Sequence, residues 1–206
     1  MDALIRQAAD GMRKNGFEVV EVRTAAEARD WLLARIAPGQ AVGVGGSVSI
    51  REIDVLPALE ARGCRVYSHW GVTDREAQAD IQRKAREADC YLSSVNAVTR
   101  TGKLVLIDGR GNRVGAICDG PRQIYLVISH SKVVDGGINT AVARIKQNAC
   151  PQNCRRLGLQ TACALTGKCG GDECAEASIC NLTLVVDRVP RGRHITVVLV
   201  EEALGY

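Results

Sequence analysis

Apolar positions in the first part of the chain alternate between the spacing of amphipathic helices and short uninterrupted runs. The first helical stripe consists of Leu4, Ile5, Ala8 and Met12. A short strand is then predicted over residues 17–22, and Thr24 and Glu27 have the spacing of a capping box that starts the next helix. Because helical and strand patterns keep alternating, we predict an α/β fold with a doubly wound, mostly parallel sheet.

Further strands are predicted where short apolar runs recur. These runs cover residues 41–45, 64–68, 90–95 and 123–129. Between the last two, LVLID, a glycine-rich turn and RVGAIC predict a β-hairpin over residues 104–118, because Gly109 and Gly111 tolerate positive φ. A helix over 135–147 is expected to lead into a cysteine-rich loop, and residues 182–189 and 195–200 are predicted to form a terminal β-hairpin.

The composition limits the classes of protein to which the chain can belong. Its 206 residues and 46% hydrophobic content suit one domain over residues 1–206, with a metal-binding loop at 148–181. A net charge of +4 with 3% aromatic residues argues against a nucleic-acid partner, and no apolar run reaches the length of a membrane span. The first residues lack the apolar run of a secretory signal, so we expect a cytoplasmic protein.

Six of the nine cysteines are clustered late in the chain. They are Cys150, Cys154, Cys163, Cys169, Cys174 and Cys180. Thiolates repel one another, so a metal ion, an iron–sulfur cluster or disulfides normally hold such a group together, and a reducing cytoplasm disfavours disulfides. The irregular intervals differ from the paired C-x2-C of zinc ribbons, so we expect an iron–sulfur cluster of the [4Fe–4S] type first, with zinc as the alternative. The other three, Cys64, Cys90 and Cys118, are predicted to be small buried apolar residues.

A glycine-rich loop after the strand at 41–45 is a candidate anion site. Gly45 and Gly46 permit a tight turn, and Ser47 adds a hydroxyl group before the next helix begins. Unpaired backbone N–H groups at such a place favour a phosphate or a carboxylate, and Lys132, in a loop after another predicted strand, would add a positive charge. The simpler interpretation is a tight turn alone. Glu52 is either a helix-capping residue or, beside a bound substrate, an acid or base.

A second group of polar residues lies at strand ends and in the turn of the first predicted hairpin. It consists of Asn96, Thr99, Asp108, Asn112 and Arg113. Asp108 and Asn112 are residue types that hydrogen-bond their own backbone in turns, so turn chemistry is the simpler interpretation for both. The guanidinium of Arg113 suits a planar carboxylate or phosphate. We retain Asp108 and Arg113, with Glu52, as candidate catalytic residues and the others as candidate ligand-binding residues.

The order of several motifs along nearly the whole chain resembles one protein family. The motifs are VGVGGSVSIRE, SSVNAVTRTGKLVLIDGRGNRVG, DGPRQIYLVIS, NCRRLGLQTACALTGKC, SICN and VEEALGY. Together they resemble the LUD-domain family, the lactate utilization proteins. The resemblance implies a three-layer α/β/α sandwich similar to the phosphosugar isomerases and coenzyme A transferases, with ligands at the loops that follow the strands.

The cysteine series of the family's short members is matched by four of the six clustered cysteines. The resemblance implies that Cys163, Cys169, Cys174 and Cys180 are metal ligands, with Cys150 and Cys154 as additional candidates. It also implies a role in the oxidation of lactate or a related small organic acid, as an oxidoreductase component with an iron–sulfur or flavin oxidoreductase partner. The alternatives are an isomerase- or transferase-like enzyme acting on a phosphorylated or carboxylated metabolite, and a small-anion-binding protein with structural zinc. A homo-oligomer is compatible with each of them.

Overall fold

The computed structural model describes residues 2–174 and 178–206. In these residues the strands are β1 (Glu18–Val22), β2 (Ala41–Val44), β3 (Arg65–Tyr67), β4 (Cys90–Ser93), β5 (Ala97–Thr99), β6 (Leu104–Asp108), β7 (Gln123–Ser129), β8 (Val133–Val134), β9 (Leu182–Val186) and β10 (His194–Val200). The α-helices are α1 (Ala3–Lys14), α2 (Ala25–Arg35), α3 (Val48–Glu52), α4 (Val55–Ala61), α5 (Arg75–Arg86), α6 (Asn112–Asp119), α7 (Ile138–Arg144), α8 (Cys150–Arg156) and α9 (Ala162–Thr166). Short 3-10 turns cover His130–Lys132 and Gly171–Cys174, and a π-helical turn, Ile145–Ala149, joins α7 to α8. Within these described ranges, no helix is long and apolar enough to cross a membrane.

A parallel sheet of six strands lies at the centre of the fold, in the order β1-β10-β7-β4-β2-β3. On one face, α1, α5 and α6 cover alternate residues of β7 such as Ile124 and Leu126. On the other face, α2, α3 and α4 cover the intervening residues Tyr125 and Val127. Because both faces are buried, the strands read as short apolar runs in the sequence. The three layers confirm the α/β/α sandwich.

Polar side chains at the helix starts explain where several helices begin. The Thr24 hydroxyl accepts the Glu27 N–H at 3.1 Å, which confirms the predicted cap of α2. The start of α3 is capped by Ser47, whose hydroxyl accepts the N–H of Ile50 at 3.3 Å. Ser47 is therefore a structural residue of the glycine-rich loop, whatever it contributes to a ligand.

The hairpin predicted over residues 104–118 is wrong. Its first half is β6, but its second half is the helix α6. The Asp108 carboxylate accepts the N–H groups of Arg113 and Val114 at 2.9 and 3.3 Å, which satisfies donors in the first turn of that helix. Val114 and Ile117, three residues apart, pack into the core on one side of α6. Helix capping and this helical spacing outweigh the strand propensity of the short apolar run.

The predicted terminal hairpin is also wrong, because its two strands belong to different sheets. The first, β9, pairs antiparallel with β6 in a second sheet of order β8-β5-β6-β9. The second, β10, lies between β1 and β7 in the central sheet and is parallel to both. Residues 195–200 are all buried there. The central position gives β10 cover on both faces, which an isolated two-stranded hairpin would not provide.

The helical region before the cysteines extends further than predicted. From Ile138 to Arg156, α7, the π-helical turn and α8 follow one another without a break. Their apolar residues, including Ile145 and Ala149, pack on the second sheet. The predicted loop at 148–181 therefore begins with a helix and also contains α9, so part of the cysteine cluster is held by packed secondary structure.

Candidate functional site

A cleft of about 480 Å³ opens where neighbouring strands of the central sheet end. The loops after β2, β4 and β7 and the last residues of the chain, after β10, meet here because parallel strands present their carboxyl ends at one edge. We call it the strand-end cleft. Its lining includes Ser47, Ser49, Ser94, Arg113, Lys132 and Tyr206. The edge of the sheet thus gathers hydroxyl groups and positive charges from distant parts of the chain.

Lys132 lines the strand-end cleft with only 3% of its surface exposed. Its amine lies 2.8 Å from the Ser49 hydroxyl oxygen and 3.1 Å from that of Ser94. Among the described residues, no carboxylate forms an ion pair with it. Burial, with a smaller effect of the positive charges of Arg144 and Arg113, lowers the pKa of Lys132 to about 7. A large part of the amine is therefore neutral at physiological pH.

Asp108 and Arg113, two of the predicted catalytic residues, hold the start of α6 in place. The Asp108 carboxylate, 5% exposed, accepts three backbone N–H groups between residues 110 and 114. The Arg113 guanidinium donates to the Ile107 carbonyl at 2.6 Å and to Asn96 Oδ1 at 3.4 Å, and its Nε lies 3.8 Å from Asp108. Both residues line the strand-end cleft, but these bonds favour the structural interpretation for them.

The other predicted ligand-binding and catalytic residues are divided between the cleft and its surroundings. Those that line the strand-end cleft are Gly46, Ser47, Asn96 and Asn112. Thr99 is the last residue of β5, where its hydroxyl accepts the N–H of Lys103, and the Glu52 carboxylate accepts the N–H of Gly205. Gly45 has a packing role, because a Cβ at this position would lie 2.7 Å from the Ser93 hydroxyl. In the described part of the chain, Gly45, Glu52 and Thr99 are outside the cleft lining.

Aromatic and cationic residues that sequence reasoning missed also line the strand-end cleft. The guanidinium groups of Arg51 and Arg156 each lie over the Trp70 ring, 4.3 and 4.6 Å from its centroid. Burial lowers the pKa of the neighbouring His69, and nearby positive charges act in the same direction. Arg156 also donates to the Tyr206 hydroxyl at 2.9 Å. His69 and Trp70 follow β3, and their position after a parallel strand could have identified them from the sequence. Arg156 and Tyr206 have no such signal in their local sequence.

All six clustered cysteines line a second cavity of about 340 Å³. We call it the cysteine cavity. Its sulfur atoms come from Cys150 and Cys154 of α8, from Cys163 of α9, and from Cys169, Cys174 and Cys180 of the following segments. Cys150 and Ile179 line both this cavity and the strand-end cleft. The two sites therefore share a wall.

Four of these sulfur atoms form two close pairs. Cys150 Sγ lies 3.3 Å from Cys180 Sγ, and Cys154 Sγ lies 3.8 Å from Cys163 Sγ. Hydrogen bonding within the first pair raises the pKa of Cys150 and lowers the pKa of Cys180 to about 7, and the positive charge of Lys146 also favours the Cys180 thiolate. Burial raises the pKa of Cys154 to about 11. At least one thiol of the group is thus readily ionised near neutral pH.

The six thiols surround a volume rather than one point. In residues 2–174 and 178–206, no three His, Cys, Asp or Glu side chains converge closely enough to hold a metal ion. Cys150, Cys154 and Cys163 are buried, whereas Cys169 is exposed. All nine cysteines are free thiols.

The three cysteines outside the cavity divide by burial. Cys64 and Cys90 are buried, as predicted, and burial raises the pKa of Cys90 to about 12. Cys118 is exposed, so its prediction as a buried apolar residue is wrong. The reason is the helix α6: its core-facing positions are Ala116 and Ile117, and the next residue turns toward solvent.

Known proteins share this architecture. The crystal structure of a DUF162 family protein from Deinococcus radiodurans at 1.70 Å resolution is similar to the chain with a TM-score of 0.53 and 14% sequence identity, over 96% of each chain. At this identity the similarity shows the fold alone. No curated protein matches the chain. The LUD domain matches residues 5–200, a range that contains every strand of both sheets and the six clustered cysteines, and the chain therefore belongs to the LUD-domain family.

Proposed function

We propose that this LUD-domain protein holds an iron–sulfur cluster in the cysteine cavity, binds a small carboxylate in the strand-end cleft, and serves the oxidation of lactate or a related 2-hydroxy acid. One observation carries the proposal: six thiols surround one cavity, and this cavity shares Cys150 and Ile179 with the cleft. A redox centre beside an anion site suits a protein that transfers electrons between a bound metabolite and a partner, either directly or as an accessory subunit.

The donor chemistry of the cysteine cavity fits an iron–sulfur cluster. Cysteine thiolates are the usual ligands of such clusters, and four are normally needed where six are present. A tetrahedral zinc site instead requires its sulfurs at about 2.3 Å from a single ion. Among the described residues, no third donor joins either close sulfur pair at such a spacing. Thiols spread around a volume of about 340 Å³ suit several iron atoms better than one zinc ion.

We favour Cys150, Cys154, Cys163 and Cys180 as the four ligands. Cys150 and Cys154 are one helical turn apart on α8 and so face the same side. Each faces a sulfur from a later segment across the cavity, Cys180 and Cys163 respectively. Because the thiolates of a cubane bind different iron atoms, the two sulfurs of each pair would have to separate when the cluster binds. The alternative is the set that the family's cysteine series implies, namely Cys163, Cys169, Cys174 and Cys180, of which Cys169 is exposed. When bound, the cluster would supply one-electron transfer at the wall of the cleft.

The strand-end cleft has the charges and donors to bind a carboxylate. Lys132, Arg156 and His69 line it, and the Ser49 and Ser94 hydroxyls flank the Lys132 amine. A carboxylate placed beside this amine would raise the pKa of Lys132, because an opposite charge favours the protonated form. A small 2-hydroxy acid carries both an anionic group for the cations and a hydroxyl group for the serines.

The proposal includes a cytoplasmic setting, where thiols stay reduced, and a second oxidoreductase with iron–sulfur or flavin groups as the electron partner. The alternative, an isomerase- or transferase-like enzyme, would use Glu52 or Asp108 as its base. Both carboxylates accept backbone N–H groups, and Glu52 is outside the cleft lining. These bonds give both carboxylates a structural role, which favours the redox proposal.

Anaerobic purification tests the cluster. We expect iron, acid-labile sulfide and visible absorption in the wild-type protein, and their joint loss in the Cys154→Ser/Cys163→Ser double variant. The matched control is Cys118→Ser, whose thiol is exposed on α6 outside the cavity and should leave the iron content unchanged. Calorimetry with lactate tests the cleft, and Lys132→Met should abolish the binding heat.

Three outcomes would contradict the proposal. Colourless protein without iron or sulfide would remove the cluster, and an equivalent of zinc in its place would favour a small-anion-binding protein with a structural metal. Ligand binding that survives the replacement of all six clustered cysteines, in a protein that never contained iron, would favour the isomerase- or transferase-like enzyme.

A further inference from the structure

We propose that Lys132 is a nucleophilic amine that forms a covalent imine with the carbonyl carbon of a small 2-oxo acid in the strand-end cleft. The proposal deepens the proposed function, because it names the carbonyl form of the acid as a ligand. It rests on that function only for the recognition of the carboxylate, and it is independent of the cysteine cavity.

The surroundings of Lys132 do not suit a structural lysine. Buried lysines are rare unless they are paired, and most lysines keep the charged end of the side chain in water. Lys132 is 3% exposed, and its amine contacts two neutral hydroxyl groups, those of Ser49 and Ser94, at 2.8 and 3.1 Å. The described residues provide no carboxylate ion pair for it. Such a buried amine is destabilising in the free protein, so a role with a ligand accounts for it better than packing does.

Two guanidinium groups are fixed near this amine. Arg144 donates to the Asn96 carbonyl at 2.8 Å and to the Ser131 carbonyl at 3.0 Å. Arg113 donates to the Asn96 side chain at 3.4 Å. Burial and, to a smaller extent, these two positive charges lower the pKa of Lys132 to about 7, and the negative charge of Glu52 opposes them only in part. Desolvation beside other cations is the arrangement that keeps an imine-forming lysine neutral and nucleophilic.

The last residues of the chain close over the amine. A Cβ at Gly205 would lie 2.5 Å from the Ser49 hydroxyl and 3.2 Å from the Lys132 amine, so the backbone itself forms this part of the wall. Gly205 also has a φ of +60°, a conformation that favours glycine. Close backbone cover restricts water around the amine, and water is the species that hydrolyses an imine.

The proposed step balances without an oxidant or a reductant. The nitrogen lone pair of neutral Lys132 attacks the carbonyl carbon, and a C–N bond forms while the carbonyl π bond breaks. The carbonyl oxygen takes up a proton and the nitrogen releases one, which gives a carbinolamine. This intermediate loses its hydroxyl group as water and becomes the imine, with Ser49 and Ser94 placed to relay protons. The sum is amine plus ketone to imine plus water.

Reductive trapping tests the imine. The wild-type protein is incubated with pyruvate and cyanoborohydride near neutral pH, and the adduct is located by peptide mass mapping. We expect one adduct per chain, on Lys132, formed at least about tenfold faster than on the exposed Lys84, because the pKa of Lys132 is lowered from 10.5 to about 7 and its amine is therefore nucleophilic near neutral pH. Lactate, which has no carbonyl group, should give no adduct. Lys132→Arg should remove the fast adduct, whereas Lys84→Arg should leave it unchanged.

The outcomes separate this inference from the proposed function. Trapping of propanal but not of pyruvate on Lys132 would support the nucleophilic amine and contradict carboxylate recognition by the cleft. Labelling that is spread evenly over exposed lysines, or absent from Lys132, would overturn the inference. Because the mapping uses the wild-type chain, this result does not depend on the folding of any variant.

Discussion

Replacement of Lys132 by Met should stabilise the reduced, metal-free protein near neutral pH. The substitution removes a positive charge that is buried without a carboxylate partner among the described residues. The pKa of Lys132 is about 7 in the folded protein, against an ordinary value of 10.5. Between these values the unfolded chain binds a proton that the folded protein does not bind, so the free energy of unfolding rises with pH. At and below about pH 7, the destabilisation of the wild-type protein by the buried, protonated Lys132 amine approaches its full size.

The expected size of the effect follows from this difference in pKa. A change from 10.5 to about 7 is about 3.5 units, and each unit corresponds to about 1.4 kcal/mol. The wild-type protein should therefore gain roughly 3 to 4 kcal/mol of unfolding free energy between about pH 7 and pH 10, and Lys132→Met should lack this gain. In Lys132→Met, the loss of the hydrogen bonds to Ser49 and Ser94 lowers the free energy of unfolding by about 1 kcal/mol each. This loss is the same at every pH.

Urea unfolding of both proteins near pH 7 and near pH 10 measures the effect. Groups that titrate in both proteins cancel when the two unfolding free energies are subtracted, provided that the m-values agree. The matched control is Lys84→Met, which removes an exposed lysine that pairs with Asp80 and should change stability by less than about 1 kcal/mol. A difference between wild type and Lys132→Met that is the same at both pH values would refute the reasoning.

Other substitutions test the fold around the site. Asp108→Ala leaves three backbone N–H groups without their acceptor and should lower the free energy of unfolding by about 2 to 4 kcal/mol, measured by urea denaturation. Gly43→Ala places a Cβ 2.1 Å from the Ala85 carbonyl oxygen and should lower the Tm by roughly 5 to 10 °C. A Cβ at Gly137 would have no atom within 4 Å, so Gly137→Ala should change the Tm little. Equal shifts of the Tm for Gly43→Ala and Gly137→Ala would contradict the packing argument. Thr24→Ala removes the cap of α2 and should cost about 1 kcal/mol; an unchanged thermal melting curve would contradict that role.

The position of residues after parallel strands was the strongest guide to the strand-end cleft in the sequence. Gly45, Gly46, Ser47 and Lys132 were selected for this reason, and all of them except Gly45 line the cleft. Ser49 and Ser94 were missed because a serine has little local signature. Their role comes from contact with the Lys132 amine, 83 and 38 positions away along the chain. Such contacts exist only after the sheet has brought the strand ends together.

The sequence alone determined the elements whose causes are local. Helical stripes, the cap at Thr24 and the strand patterns act over a few residues, and they predicted the layered α/β class correctly. The tertiary structure decided which partners those elements take. It placed β10 between β1 and β7, in the interior of the parallel sheet. It also paired the sulfurs of Cys150 and Cys180. These outcomes depend on burial and hydrogen bonding between residues far apart in the chain, and the spacing of neighbouring residues does not reveal those contacts.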